Sequence, residues 1–376
     1  MKYYLTLYLL LLLSDCFGIA VNNLTIAENN PNDITSFSAF NWDYVYSYNG
    51  STAVAVDPYW IITAAHVADD VQNGTVIVAG EIHNEVQKVF HSSDYDSENN
   101  ESADLALIRL DKPLPGYYPI HDRSIYPSQT LILTGWGKTG TVFNTYFRNG
   151  PGGQGVKRWG TNKMESTGIS PPIDDGGSCG PRITKYFAIG FSISDTLYEA
   201  GGVIYDSGGG VFLRYQGQWR LAGILLYLNG TDPNYTGNIS ANISNYSDWI
   251  DKTISNYDSD IDGLPDHFEA SYGNDLDMNP NDDLDGDSFT NYQEWIADTL
   301  PNDSNSFFKI LNPYNSSNLT FSSSSLRQYK IIFCSNLADN SWVNTNQWFT
   351  GDDIQTTAFT PDISAVRFNR VKVQIP

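Results

Sequence analysis

Through the first two thirds of the chain, apolar residues fall in short runs broken by Gly, Pro, Asn and Asp. Tyr44-Val-Tyr-Ser-Tyr, Thr52-Ala-Val-Ala-Val and Trp60-Ile-Ile-Thr are separated by Asn49-Gly50 and Asp57-Pro58, both turn signals. Thr75-Val-Ile-Val and Glu85-Val-Gln-Lys-Val-Phe come next, then a polar stretch from Ser92 to Ser102. The runs resume at Thr130-Leu-Ile-Leu-Thr, Phe187-Ala-Ile-Gly-Phe, Val211-Phe-Leu-Arg-Tyr and Trp219-Arg-Leu-Ala-Gly-Ile-Leu-Leu-Tyr. Short strands with frequent turns predict an all-β, barrel-like body. The glycine-rich 149–155 segment reads as a loop. Residues 306–376 read as a separate small β domain, with strands at Leu319-Thr-Phe, Gln328-Tyr-Lys-Ile-Ile-Phe, Ala358-Phe-Thr and Ala365 onward. Its Trp342 and Trp348 are expected in the core, with a binding face as the alternative.

The chain's start differs from this pattern. Residues 1–20 carry one early lysine, a leucine-rich core and the small-residue end Gly18-Ile19-Ala20, the composition of a secretory signal. The apolar run is too short to span a bilayer. A secreted, periplasmic or cell-surface protein follows, with no membrane span once the signal is removed. Residues 21–35 are polar and read as a loose segment. Without the signal two cysteines remain, Cys179 and Cys334. Sequence leaves open a disulfide between them, and two isolated thiols are the expected state.

The formal net charge is −22. Residues 255–305 hold fourteen Asp and Glu and no Lys or Arg, so much of the excess sits in one segment. Nucleic acid is excluded as an expected partner, because phosphate binding needs basic patches. Within this segment Asp258, Asp260, Asp262, Asp266 and Glu269 stand at positions 1, 3, 5, 9 and 12 of a loop with Gly263 at position 6. Hard oxygen ligands at that spacing suit Ca2+, with the carbonyl of Leu264 at position 7. Asp283, Asp285, Asp287, Asn291 and Glu294 repeat the spacing, with Phe289 at position 7 and Ser288 where glycine is wanted. Asp275, Asp277 and Asn279 offer spare oxygens to either loop. The pair resembles the tandem calcium repeats of thrombospondin type 3 or EF-hand kind, with a dockerin-like docking module as the alternative. Structural Ca2+ is therefore expected, and no cofactor for catalysis.

Three further stretches carry chemistry. Thr63-Ala-Ala-His66 closes an apolar run on a histidine. Asp104 heads the strand-like Leu-Ala-Leu-Ile-Arg-Leu110. Tyr205-Asp-Ser207-Gly-Gly-Gly places a serine on a glycine-rich turn. A neutral histidine can take a serine proton, and a buried carboxylate can hold that histidine in the right tautomer. His83, His91, His121 and His267 have no such neighbours and read as surface or structural residues.

These stretches resemble the three catalytic motifs of the trypsin/chymotrypsin-like serine peptidases, in that family's order. Gly135-Trp-Gly137, Leu221-Ala-Gly-Ile-Leu and the closing segment Tyr246–Ile254 match as well, so the likeness runs from about residue 35 to 254. The few cysteines suit a bacterial secreted member. The resemblance implies two packed antiparallel β-barrels over residues 21–254 with the site between them. It implies hydrolysis of a peptide or protein substrate through an acyl-enzyme: Ser207 attacks, His66 carries the proton and Asp104 orients His66. An ester substrate would use the same triad. The N–H groups of Tyr205 and Ser207 would form the oxyanion hole, where one donor is worth roughly 3–4 kcal/mol. The family usually has glycine at the Tyr205 position, so a catalytically weak or inactive homologue, acting as a calcium-stabilised surface or binding protein, is the alternative. In the family's register Gly201 lies at the base of the substrate pocket and Leu226, Tyr227 and Leu228 on its wall. That set predicts small or medium apolar side chains rather than Lys or Arg. No Ile-Val-Gly-Gly start is present, so the family's pairing of a freed N-terminus with the aspartate before the serine, here Asp206, is expected to be absent. Arg158 or Lys157 would satisfy Asp206 instead. A monomer is expected.

Overall fold

The computed structural model describes residues 19–69, 72–92, 102–150, 155–173, 180–273, 276–311, 318–339, 341–344, 347–359 and 368–376. Cys16, Cys179 and Asp275 lie outside them, as do residues 1–18 of the leader and most of the polar stretch after Ser92. The chain divides into two compact units, Met1–Ile254 and Ser255–Pro376.

Six strands form the first sheet: β1 (Val45–Tyr48), β2 (Ser51–Ala55), β3 (Trp60–Thr63), β4 (Thr75–Val78), β5 (Glu81–Phe90) and β6 (Ala106–Leu110). All neighbours are antiparallel, in the order β1-β2-β3-β6-β5-β4. β2, β3 and β6 are buried at every residue rather than alternately. A strand covered on both faces reads as a continuous apolar run, which is what Trp60-Ile-Ile and Ala106-Leu-Ile show.

Six more close a second barrel: β7 (Thr130–Gly135), β8 (Arg158–Ile169), β9 (Lys185–Gly190), β10 (Gly210–Tyr215), β11 (Gln218–Thr231) and β12 (Asn234–Asn242). The order β9-β8-β7-β10-β11-β12 returns on itself through β12–β9 pairing, so this ring has no free edge. Its core holds Leu131, Leu133, Phe187, Ile189, Val211, Leu213, Ala222 and Leu225.

Ile19 and Ala20, expected in the leader, are fully buried parts of this fold. Ala20–Val21 pairs with Ala200–Gly201, and Ile19 joins the second core. The following segment is ordered too: Asn23 caps the short helix Leu24–Ala27 by accepting from the N–H of Ile26. The expected closing helix is Ser247–Ser255, which buries Trp249, Ile250 and Ile254.

The second unit takes in both the acidic loops and the small β domain. Helix Asp266–Tyr272 follows the first acidic loop and helix Asn291–Ala297 the second. The Arg327 guanidinium donates to the carbonyls of Trp295 (2.8 Å) and Ile296 (3.0 Å) at the end of the latter helix. That ties the loops to the β domain, whose core is Leu319, Phe321, Tyr329 and Ile331. Trp342 and Trp348 are outside that core: both are half-buried, beneath the cations of Arg370 and Lys330 respectively. No helix among the described residues is long and apolar enough to cross a membrane.

Candidate active site and acidic loops

The register of two neighbouring strands brings the first two site residues together. Thr63, at the end of β3, pairs with Ala106, at the start of β6. The chain just after β3 and the chain just before β6 therefore leave the sheet side by side. His66 sits on the short helix Ala65–Asp69, and Asp104 two residues before β6. The His66 backbone N–H donates to Asp104 Oδ1 at 2.9 Å, and His66 Nδ1 lies 2.7 Å from Oδ2. Asp104 is fully buried, and its own N–H donates to the Thr184 hydroxyl at 2.9 Å. Burial pushes its carboxyl up, but hydrogen bonding and charge from His66, then the Tyr227 hydroxyl, hold it below the ordinary value. A carboxylate ionised in that place fixes the imidazole with Nδ1 protonated and Nε2 as the acceptor.

The second barrel supplies the serine. Ser207 lies on the turn before β10, and its carbonyl accepts from the Thr52 N–H on β2 at 3.0 Å. The Thr52 hydroxyl accepts from the Trp136 N–H (2.9 Å), and its carbonyl accepts from the Thr63 hydroxyl (2.7 Å). One residue thus pins the Ser207 turn to the first barrel. Gly208 has φ +82°, and a Cβ there would stand 1.9 Å from the Thr52 carbonyl oxygen, so only glycine fits. His66 and Ser207 line one cavity of about 470 Å3. The Ser207 hydroxyl donates to the Leu226 carbonyl at 3.3 Å.

Tyr205 has φ +73°, the left-handed backbone that favours glycine. Its ring is 40% exposed and lies beneath Lys138 Nζ. On this turn the N–H groups of Asp206, Gly208 and Gly209 are taken by backbone carbonyls. Those of Tyr205 and Ser207 have no acceptor among the described residues.

Asp206 is satisfied in a way the sequence did not suggest. Neither expected cation bonds it: Arg158 pairs with Glu28, and Lys157 Nζ donates to the carbonyls of Trp42 and Val45. Its Oδ2 accepts from the backbone nitrogens of Ile19 (3.0 Å) and Val203 (2.7 Å), and Oδ1 from Gly137 (2.8 Å). One of these donors, the Ile19 backbone N–H, comes from the N-terminal part of the chain. Burial still pushes this carboxyl up to about 7, against those hydrogen bonds and the Arg158 charge.

The pocket also departs from the expected register. Gly201 is buried against the Phe147 ring and is not on the cavity wall. Gly202 lines it, held by Asn238, whose side chain accepts from the Gly202 N–H (2.8 Å) and donates to its carbonyl (3.0 Å). Leu226, Tyr227 and Leu228 line the cavity, as do Val203 and Tyr235. Its one carboxylate, Asp206, is committed to backbone donors. Of the other histidines, His83, His91 and His121 are buried and His267 half-buried, so none is a surface residue.

A model of the family described as Trypsin matches residues 33–250. The chain belongs to the trypsin family. The match agrees with an all-β, chymotrypsin-like fold of two barrels. No curated protein matches the chain. Among solved structures, the chain is similar to Rv3671c from M. tuberculosis H37Rv, in a serine-to-alanine mutant of inactive form. The identity is 14% and the TM-score 0.41, over 63% of this chain and 96% of that one. A second structure, Rv3671c protease in an inactive form, has the same identity and TM-score over 59% and 95%. At that level neither structure assigns an activity to this trypsin-family chain.

The acidic loops sit in the other unit. Asp258, Asp260 and Asp262 bring carboxylate oxygens within 4.8 Å of one another, and so do Asp283, Asp285 and Asp287. Gly263 (φ +102°) and Ser288 (φ +82°) share the left-handed turn at position 6, serine notwithstanding. Leu264 packs with Phe268 and Met278, and Phe289 stacks on Phe307. Asp266 Oδ1 is taken by the Ser259 N–H. The closing oxygens Glu269 Oε2 and Glu294 Oε2, with Asp285 Oδ2, Asp287 Oδ2 and Asn291 Oδ1, are buried with no hydrogen-bond partner. Buried oxygen acceptors without donors, gathered among like charges, fit a hard cation.

Proposed function

We propose that the chain is a secreted serine endopeptidase with the triad His66, Asp104 and Ser207. The observation that carries this reading is the His66–Asp104 pair, Nδ1 to Oδ2 at 2.7 Å, opening on the cavity that Ser207 also lines. Ser207 Oγ attacks the substrate carbonyl and passes its proton to His66 Nε2. His66 then returns a proton to the leaving amine, and water hydrolyses the acyl-enzyme by the same route in reverse. The unclaimed N–H groups of Tyr205 and Ser207 receive the oxyanion. A cavity whose one carboxylate is committed to backbone donors favours uncharged side chains over Lys or Arg.

The leader is removed ahead of Ile19 rather than after Ala20, because both residues are built into the fold. The Asp258–Glu269 and Asp283–Glu294 loops hold structural Ca2+, which neutralises the orphaned carboxylates and joins loop to helix. Hydrolysis of a mixed peptide library by wild type and Ser207→Ala tests the peptidase reading: cleavage by wild type alone supports it, and equal cleavage by both overturns it. One observation favours the alternative, a weak or inactive homologue: the Ser207 hydroxyl is turned to the Leu226 carbonyl. Absence of cleavage by wild type would select that alternative.

A further inference from the structure

Tyr227 occupies a place where the sequence suggests a pocket wall, yet its hydroxyl reaches past the wall to the triad. It lies on β11, where the pairing with β12 steps from Leu225↔Ser240 to Tyr227↔Ile239, leaving Leu226 as the extra residue of a bulge. A bulge re-aims the side chain that follows it. Here the Tyr227 hydroxyl donates to Asp104 Oδ2 at 2.5 Å, and its ring stacks 5.8 Å from the His66 imidazole at 23°. The same bulge presents the Leu226 carbonyl to the Ser207 hydroxyl.

Asp104 Oδ2 therefore carries two donors, the His66 Nδ1–H and the phenol. Oδ1 accepts the His66 backbone N–H and lies 3.9 Å from Arg182 Nε, a fully buried guanidinium that also pairs with Asp69 at 3.4 Å. Arg182 and Asp69 are thus charged groups on the Oδ1 side of the pair. A donor on the oxygen that the imidazolium would face spreads that oxygen's negative charge, so it offers a proton on His66 less attraction.

We propose that Tyr227 is a positioning residue of the triad: its hydroxyl holds Asp104 Oδ2, its ring holds the plane of His66, and together they keep the imidazole neutral to lower pH. This rests on the reading of Ser207 as nucleophile. Tyr227→Phe keeps the ring and removes the hydroxyl. Tyr227→Leu removes both.

The test is the rate of labelling by a small alkyl fluorophosphonate against pH, which needs no knowledge of the natural substrate. For Tyr227→Phe the acid-side midpoint should move up by about half a pH unit, because an unshared carboxylate attracts the proton on His66 more strongly. Its plateau rate should stay within about tenfold of wild type, while Tyr227→Leu loses more because the imidazole is no longer held in plane. Titration of the His66 ring by NMR in Ser207→Ala, with and without Tyr227→Phe, should show the same upward shift. A residue that served only as pocket wall would change KM for peptides and leave both midpoints in place. Midpoints unchanged within about 0.2 unit overturn the proposal. If wild type does not label at all, the nucleophile reading fails, and the NMR pair alone decides whether Tyr227 tunes His66.

Discussion

The two units bury carboxylates under opposite terms. In the first, Asp104 and Asp206 each receive donors on both oxygens, all from the chain itself. In the second, Glu269 and Glu294 each keep one buried oxygen with no partner. Burial then raises Glu269 to about 8 and Glu294 to about 7, helped for each by neighbouring aspartates. Asp206 is raised to about 7 as well, so the difference between the units lies in the donors: the chain supplies them in the first and leaves oxygens without them in the second. Under the proposed calcium reading, the comparison would separate a site assembled by folding from one assembled by binding.

The sharpest way to break this contrast is to change one carboxylate in each unit. Asp104→Asn should lower hydrolysis by about ten-thousand-fold, because an amide can stabilise the wrong imidazole tautomer. Asp260→Asn should leave hydrolysis within about twofold, since its effect is confined to cation binding. A chelator comes next in size. It should lower the melting temperature of the 255–376 unit by roughly 10 °C while leaving fluorophosphonate labelling unchanged. Calorimetry that finds no change on chelation would remove the calcium reading from the acidic loops.

Asp206 gives a pH test inside the first unit. Its folded carboxyl is raised from 3.8 to about 7, so the folded state keeps a proton that the unfolded chain gives up. The stability it contributes is complete below about pH 4 and is lost as pH rises through 7. A chain that retains residues ahead of Ile19 should therefore lose melting temperature over that window. One that begins at Ile19 places an ammonium on Asp206 and should lose much of this slope. Identical slopes for the two forms would contradict the role given to the Ile19 nitrogen. The smallest effect belongs to Tyr205→Gly, which relieves a left-handed backbone at the cost of a more flexible unfolded chain. It should change stability by no more than about 1 kcal/mol and leave labelling within about twofold.

Much of this was legible in the residues and some was not, for physical reasons. The first barrel's strands were readable because Trp60-Ile-Ile and Ala106-Leu-Ile are apolar on both faces. Strands β8 and β12 were not. Arg158-Trp-Gly-Thr-Asn and Asn234-Tyr-Thr-Gly-Asn lack an apolar run, and their buried polar side chains find partners far along the chain. Arg158 pairs with Glu28, Trp159 donates to the Asn29 carbonyl, and Asn238 binds Gly202. The calcium spacing is local and showed at once, down to the left-handed position at Ser288. The Ile19–Asp206 contact joins residues 187 positions apart; Asp206 sits in a recognisable motif, but nothing around Ile19 marks it as the partner. Tyr227 was read as pocket wall because a bulge, invisible in the sequence, decides where its hydroxyl points.

The measurement that tests the central claim most directly is peptide mapping after reaction with a fluorophosphonate. Wild type should carry the adduct on Ser207, with His66→Ala and Asp104→Asn labelled far more slowly. An adduct on another residue, or one formed equally fast in His66→Ala, would contradict a serine activated by the His66–Asp104 pair.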